Sequence, residues 1–370
     1  MALNDPYAPG VVRAPRMQIL NNGEPIIGAM SFTINNNNYY QADTFSCEFA
    51  FNADPAHNLS FWGDPAWDTA NPLMLDIQAS LDGGTTFTSF IIGQTDHITV
   101  HLEKGIVHVD GRDRTATLID NKTNYTFQNL TASQVVQQVG AQFGFDLDVT
   151  PTTTLVGRYY EMDHERIGAG EFTHTTTYWN LLCSFAAKEQ YDIYVTGNTL
   201  HFNPTTPPDS DPYVVVWDQS GPYSNAIEIT TERSLTYAKD VVVVVRSWDS
   251  KTGKAVIAYA PSGARQSSIA SGKAQEFFYT FPNLSKGDAQ DQANKIRADL
   301  TAHERLISFA VPADLTLNAR NMLSLQGTGS SFDQTYFVDS VERSMHWEGG
   351  FTMHVKGKNK SPVSSVPASG

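Results

Sequence analysis

The chain has 370 residues, 41% of them hydrophobic and only 17% charged, with a formal net charge of −14 at pH 7. That length exceeds one ordinary core and sets two or three packed domains as the expectation, while a charged fraction below the roughly 25% usual in soluble domains, made up by Asn, Thr, Gln and Ser, suits turn-rich β and assembly proteins. The acidic balance excludes broad binding to nucleic-acid phosphates, which needs clustered Lys and Arg, and the only two cysteines, Cys47 and Cys183, each in an apolar pattern, argue against a disulfide framework or a zinc cluster.

Residues 1–14, rich in Pro, Gly and Ala, read as an extended N-terminal arm. No basic stretch followed by an apolar one opens the chain, and its longest aliphatic run, Val241 to Val245, is far short of a membrane span. A soluble protein made in the cytoplasm, without stable membrane insertion, is expected. From 15 to 125 the pattern is short alternating runs: Met30 to Ile34, Phe45 to Phe51, Leu73 to Ala79, Phe90 to Ile92 and Ile106 to Val109. Asn21-Asn22-Gly23, Asn35 to Asn38 and Asp82-Gly83-Gly84 supply turns that tolerate positive φ. Strands in succession with no helix between them predict a first β-barrel or sandwich.

Between 126 and 211 the period changes. Thr131 with Gln134 three residues on forms a capping-box pattern; Val135, Val136, Val139 and Phe143 follow on one helical face, and Gly144 can close the helix in a left-handed turn. A second helix is expected from Tyr178 to Glu189, burying Trp179, Leu182, Cys183 and Ala186. Tyr191 to Val195, a Gly197-Asn198 turn and Thr199 to Phe202 then read as a hairpin, and Pro204, Pro207, Pro208 and Pro212 as a linker. The region from 212 to 360 returns to strands: Tyr213 to Trp217, Ala226 to Thr230, Val241 to Val245 (apolar enough for burial on both faces) and Ala255 to Tyr259. Residues 261–275 read as a mobile loop that orders on assembly. An inserted helix spans 285–304, capped by Ser285 with Asp288, its stripe Ala289, Ala293, Ile296 and Leu300; strands fill Leu306 to Val355, and 361–370 is a flexible tail.

A repeat is visible within these strands. Met74-Leu75-Asp76-Ile77-Gln78 echoes Met322-Leu323-Ser324-Leu325-Gln326, and each is followed by a Gly/Thr/Ser turn and a strand reaching Asp96 or Asp339. Each copy then closes on a strand ending His108-Val109-Asp110-Gly111-Arg112 or His354-Val355-Lys356-Gly357-Lys358. Met74 and His108 are 34 residues apart, Met322 and His354 32. Two similar β-modules flanking the α/β segment are expected; shared hairpin chemistry is the alternative explanation.

No reactive centre stands out. Asp163-His164-Glu165, with His174 nearby, offers acid–base or metal-binding groups. However, three adjacent side chains cannot all point one way, and no paired-His spacing follows, so a solvated loop is favoured. His97, His101 and His108 fall on neighbouring strands, where polar positions of a half-exposed sheet explain them. Cys183 reads as buried rather than nucleophilic, and no nucleophile-elbow, Walker or dinucleotide glycine pattern sits in a fitting context.

Gly105 to Ala116, continuing through Leu118-Ile119-Asp120, resembles the strand-and-turn segment of phage late control protein D and related baseplate hubs. The helix from Leu130-Thr131-Ala132-Ser133 to Phe143-Gly144-Phe145, the segments Glu165 to Glu171, Thr177 to Leu182 and Ala186 to Glu189, and the 191–202 hairpin resemble that family's central module. The resemblance is clearest over 90–205 and 285–357, and the hub region is shared with type VI secretion spike proteins. It implies a mainly β, α+β fold with two tail-tube-like β-barrel modules flanking a central α/β module. The implied function is a non-enzymatic, cofactor-free trimeric adaptor at the phage tail baseplate, assembled in the host cytoplasm, joining a sixfold tail tube to a threefold central spike during DNA ejection. Implied partners are the spike, the tube or tube-initiator protein, the tape measure protein and baseplate wedge proteins, with DNA passing through the channel without specific binding; the acidic excess by itself suggests acidic or neutral channel walls, with ordinary solubility charge as the alternative. No β-helical spike repeat occurs in these 370 residues, which favours a hub whose spike is a separate protein, in a contractile tail more readily than a noncontractile one. Gly111, Arg112 and Asp113 match the family motif and are expected to shape a turn and its hydrogen bonds; Trp179 and Gly197 are the structural markers of the central module. A tail-tip peptidoglycan hydrolase and the hub of a contractile secretion system are the alternatives.

Overall fold

The computed structural model describes residues 2–7, 13–38, 40–68, 71–123, 127, 129–153, 155–156, 158–159, 166–167, 176–205, 211–218, 223–235, 240–249, 253–261, 274–281, 284–301 and 304–359. The Asp163-His164-Glu165 cluster, His174, the linker prolines Pro207 and Pro208, most of the 261–275 loop and the 361–370 tail lie outside the described residues.

The first β unit contains Arg16–Asn21 (β1), Ala29–Asn37 (β2), Thr44–Ala50 (β3), Met74–Ser80 (β4), Thr88–His101 (β5) and Ile106–Asp113 (β6). Strict alternation puts Phe45, Cys47 and Phe49 of β3, and Val107 and Val109 of β6, on one buried face, as a period of two requires. All ladders in this unit are antiparallel, and the spatial order is β1-β4-β5-β6-β3-β2. Gly83 and Gly84, at φ +80° and +99°, make the turn expected after Asp82. Asn35 to Asn37 are not a turn; they extend β2, because a second strand hydrogen-bonds along them. Strand β5 also runs well past Ile92.

The second unit repeats this plan. Pro212–Asp218 is β10 and Glu228–Arg233 is β11, with β7 to β9 belonging to the intervening module below; Arg305–Pro312 (β15), Met322–Gln326 (β16), Thr335–His346 (β17) and Gly350–Asn359 (β18) complete it. Its spatial order is β10-β16-β17-β18-β15-β11. Taken strand for strand in chain order, this is the arrangement of the first unit. One difference is that β10 runs parallel to β16, where β1 is antiparallel to β4. The two units join through β2 and β17, which pair antiparallel from Ser340↔Asn37 to His346↔Ser31. The result is one large sheet with a single shared core containing Phe32, Ile34 and Phe49 from one half and Phe309, Val341 and Val355 from the other. Among the described residues this sheet does not close into a barrel. The N-terminal arm lies against the second unit: Asn4 Nδ2 donates to Val214 O (3.0 Å) and Val214 N donates to Asn4 Oδ1 (2.7 Å).

Two smaller bodies pack separately. In the central one, β7 (Asp146–Val149), β8 (Tyr191–Thr196) and β9 (Thr199–Pro204) form a three-stranded sheet under three helices, α1 (Thr115–Asp120), α2 (Ala132–Gln142) and α3 (Tyr178–Glu189). Helix α2 starts at the full capping box of Thr131 and Gln134, with Gly144 at φ +71° just past its end. Helix α3 has the expected bounds. The other body, set between β11 and β15, is the sheet β13-β12-β14, from Asp240–Asp249 (β12), Lys254–Ala260 (β13) and Ala274–Thr280 (β14), covered by α4 (Lys286–Thr301). All five valines from Val241 to Val245 are at most 2% exposed, as a central strand covered on both faces demands. Strand β14 begins within the span read as a loop. Among the described residues no helix is long and apolar enough to cross a membrane.

Candidate functional site

The family-motif residues Gly111, Arg112 and Asp113 form the last residues of β6, a strand end rather than a turn. Opposite them β5 carries a bulge: Thr95 pairs Gly111, His97 pairs Asp110, and Asp96 is the extra residue. A bulge re-aims its side chain. Asp96 meets Arg112 twice, from Arg112 Nε to Oδ2 at 2.5 Å and from Nη2 to Oδ1 at 2.9 Å. Arg112 also holds Asp120 at the end of α1, at 3.2 and 3.0 Å. Partial burial alone raises the Asp96 pKa, but the hydrogen bonds and charge of Arg112 outweigh it and hold the carboxyl below its usual range. Asp113 turns inward and accepts from Thr115 N (3.1 Å) and Thr115 Oγ1 (2.9 Å), which anchors the start of α1. Burial, and then the nearby charge of Asp43, pushes its carboxyl well above the ordinary range.

The second unit rebuilds this corner. Val338 pairs Gly357, Ser340 pairs Lys356, and the extra residue is Asp339, bound to Lys358 Nζ at 2.9 Å. Gly111 and Gly357, at equivalent positions, are both crowded. A Cβ on Gly111 would lie 2.2 Å from Gln94 O and 2.3 Å from Phe45 Cζ; one on Gly357 would lie 2.9 Å from Phe337 O and from Leu323 Cδ1. Gln94 and Phe337 are themselves equivalent, since each pairs the methionine that opens β4 or β16. Glycine, bulge, acid and base therefore recur together in both copies. The sequence repeat had flagged Gly357, Lys358 and Asp339 without assigning them a partnership.

Trp179 and Gly197 lie elsewhere and serve the seating of the central body. Trp179 is 2% exposed and donates its indole N–H to Tyr40 O at 3.0 Å. Gly197, at φ +59°, turns the β8–β9 hairpin so that a Cβ there would lie 3.6 Å from Ile92 Cδ1 of β5. Arg320, between β15 and β16, stacks over Tyr194 at 4.1 Å and hydrogen-bonds Asn38. The junction between the units has its own buried cation, Arg343 of β17. It is 2% exposed, donates to Asn36 Oδ1 (3.3 Å) and to Leu317 O, and lies 4.5 Å from the centre of the Phe90 ring; burial pushes its pKa down to about 10. No local pattern marks Arg320 or Arg343 in the sequence.

His97 and His101 of β5 and His108 of β6 share one face of the sheet, with His108 opposite Thr99 between the other two. His97 and His101 are exposed, while His108 contacts Ser46 (3.3 Å) and Asp110 (3.2 Å). Among the described residues no group of three or more His, Cys, Asp or Glu could hold a metal. Burial pushes the thiol of Cys183 up to about 12 and that of Cys47 higher still, so neither is a thiolate near neutral pH. A groove of about 590 Å³ beside β5 is lined by Trp67, Leu73, Asp96, Ile98, Arg112 and Asp120.

No protein-family model matches the chain, and no curated protein matches it in sequence. Solved structures do. The tail protein from Neisseria meningitidis MC58 superposes with a TM-score of 0.69 at 12% identity, covering 93% of this chain and 96% of that one. The 43 kDa tail protein of prophage MuSo2 from Shewanella oneidensis gives 0.65 at 13%, covering 94% and 97%. An E. coli component of the type VI secretion system gives 0.51 at 10%, covering 94% and 78%. The likeness first read from short motifs thus extends over almost the whole chain at the level of fold: this protein has the mainly β fold of phage tail proteins, shared with a component of the type VI secretion system.

Proposed function

We propose that this protein is a structural hub at the tip of a phage tail, a homotrimeric adaptor between a sixfold tail tube and a threefold central spike that forms part of the DNA channel. The observation that carries this reading is the strand-for-strand duplication. A chain with two like units presents six like units when three copies surround an axis, while keeping three of everything else. Symmetry adaptation needs interfaces rather than a reactive centre. In this reading the two units are the tube-like modules, seated on one another through β2 and β17, and the central body is the α/β module. The spike, the tube or its initiator, the tape measure protein and baseplate wedge proteins are the partners, at the baseplate of a virion put together in the host cytoplasm.

The carboxylate at the bulge supports a non-enzymatic role. A glycosidase needs one acid whose pKa is raised. Asp96 is held ionised by Arg112, and Asp120 is bound by the same guanidinium. The hub of a contractile secretion system is the second reading, favoured by the likeness to a type VI secretion component. Light scattering on the purified protein, with and without a candidate spike protein, tests the proposal. A trimer, or a monomer driven to a trimer by the spike, supports it; a monomer indifferent to its authentic spike refutes it.

A further inference from the structure

A cavity of about 380 Å³ opens where the two β units and the central body meet, lined by Asn36, Asp43 and Asp113 of the first unit, Arg320 and Arg343 of the second, and His201 of β9. Its acids and bases do not pair with one another. Asp43 accepts from Asn36 Nδ2 (2.8 Å) and from Asn37 N and Nδ2 (2.8 and 3.1 Å), and Asp113 accepts from Thr115. Arg320 uses one nitrogen, Nη1, on Asn38, while Arg343 donates to Asn36 and to the carbonyls of Asp314 and Leu317. Among the described residues neither guanidinium forms an ion pair, whereas Arg112, Arg233 and Arg305 each do. We infer that this cavity is a binding site for a phosphate group, held by Arg320 and His201 with the charge of Arg343 in the same enclosure.

A cation taken out of water needs a counter-charge, and burial lowers the pKa of both arginines. The acids on the same walls supply none at contact distance. Burial pushes the carboxyls of Asp43 and Asp113 up, towards their neutral forms, which leaves the cavity positive. Arg320 has no hydrogen-bond partner at Nε or Nη2 among the described residues, and these are two donors of the planar fork that fits phosphate oxygens bidentately. His201 meets Asp148 Oδ2 through Nδ1 at 2.7 Å, so Nε2 is its free ring nitrogen, a donor whenever the ring is protonated. Its ring stacks on Tyr194 at 4.5 Å, the same ring that carries Arg320 at 4.1 Å. Two guanidiniums and an imidazole in one cavity suit a tetrahedral ion of two negative charges better than a planar carboxylate of one. A chain of net charge −14 does not gather phosphate over its surface, so affinity rests on these walls alone. Because Arg320 belongs to the second unit and His201 to the central body, a bound phosphate ties that body to the large sheet.

The site goes beyond the hub reading and does not depend on it. Isothermal titration of the full chain with inorganic phosphate, and separately with adenosine 5′-monophosphate, at constant ionic strength in chloride, tests it. Saturable binding of one phosphate group per chain is expected. Arg320→Gln should weaken it roughly tenfold or more, the scale of a lost hydrogen bond to a charged group. Arg16→Gln, the same change of charge at an exposed arginine, should leave it unchanged. Binding of inorganic phosphate alone assigns the free ion as ligand; binding of the nucleotide, with or without the free ion, assigns a phosphomonoester. No saturable binding of either by the wild-type chain overturns the site, as does an affinity unchanged in Arg320→Gln or reduced equally in both variants. If Arg320→Gln does not fold, Arg320→Lys decides, since it keeps the charge and loses the fork: a several-fold loss of affinity supports the site, and wild-type affinity overturns it.

Discussion

The corner glycines offer a stability test in which the repeat serves as its own control. Gly111→Ala puts a methyl 2.2 Å from Gln94 O, a backbone atom of the neighbouring strand, and 2.3 Å from the Phe45 ring. Ordinary contact begins more than 1 Å further out, so β5 and β6 must separate locally beside the Asp96 bulge. Overpacking of this kind costs roughly 1–3 kcal/mol. Loss of a ladder hydrogen bond at Thr95↔Gly111 adds about 1 kcal/mol, and the sum is about 3 kcal/mol. Gly357→Ala meets Phe337 O and Leu323 Cδ1 at 2.9 Å. The leucine methyl can rotate away and the carbonyl needs to give only a few tenths of an ångström, so the cost is about 1 kcal/mol, at the low end of overpacking. Urea unfolding of the two variants beside wild type, followed by tryptophan fluorescence, measures the difference. Equal losses, or a larger loss at Gly357, would show that the first corner relaxes freely and would refute the argument from its geometry.

Two further outcomes are expected. Asp113 has a carboxyl pKa raised in the folded state, so its contribution to stability is fully present below the unfolded value, about 4, and is lost as pH rises through the folded value. Asp113→Asn should therefore gain on wild type in urea midpoint as pH is raised from 4 towards 8; parallel pH profiles would contradict this. Trp179→Phe removes the donor to Tyr40 O and should cost about 1 kcal/mol, loosening the central body, which limited proteolysis of the full chain would register as faster cleavage.

What the sequence determined by itself is what is encoded within a few residues. The cap of α2 lies in four consecutive positions, Thr131 to Gln134, and the bounds of α3 follow from one apolar stripe. Five adjacent valines specify a strand covered on both sides. The repeat, too, was legible, because Met74 to Arg112 and Met322 to Lys358 preserve the order of strand, turn and glycine. Tertiary structure decided whatever depends on which strands meet. Asn35 to Asn37 have turn chemistry, yet they are strand because β17, some 300 residues away in the chain, satisfies their backbone groups. Arg343 looks like a surface cation and is buried, because the junction surrounds it with carbonyls and the Phe90 ring. Local sequence sets backbone preference; the cost of leaving a buried polar group unpaired sets which distant strand must come to meet it.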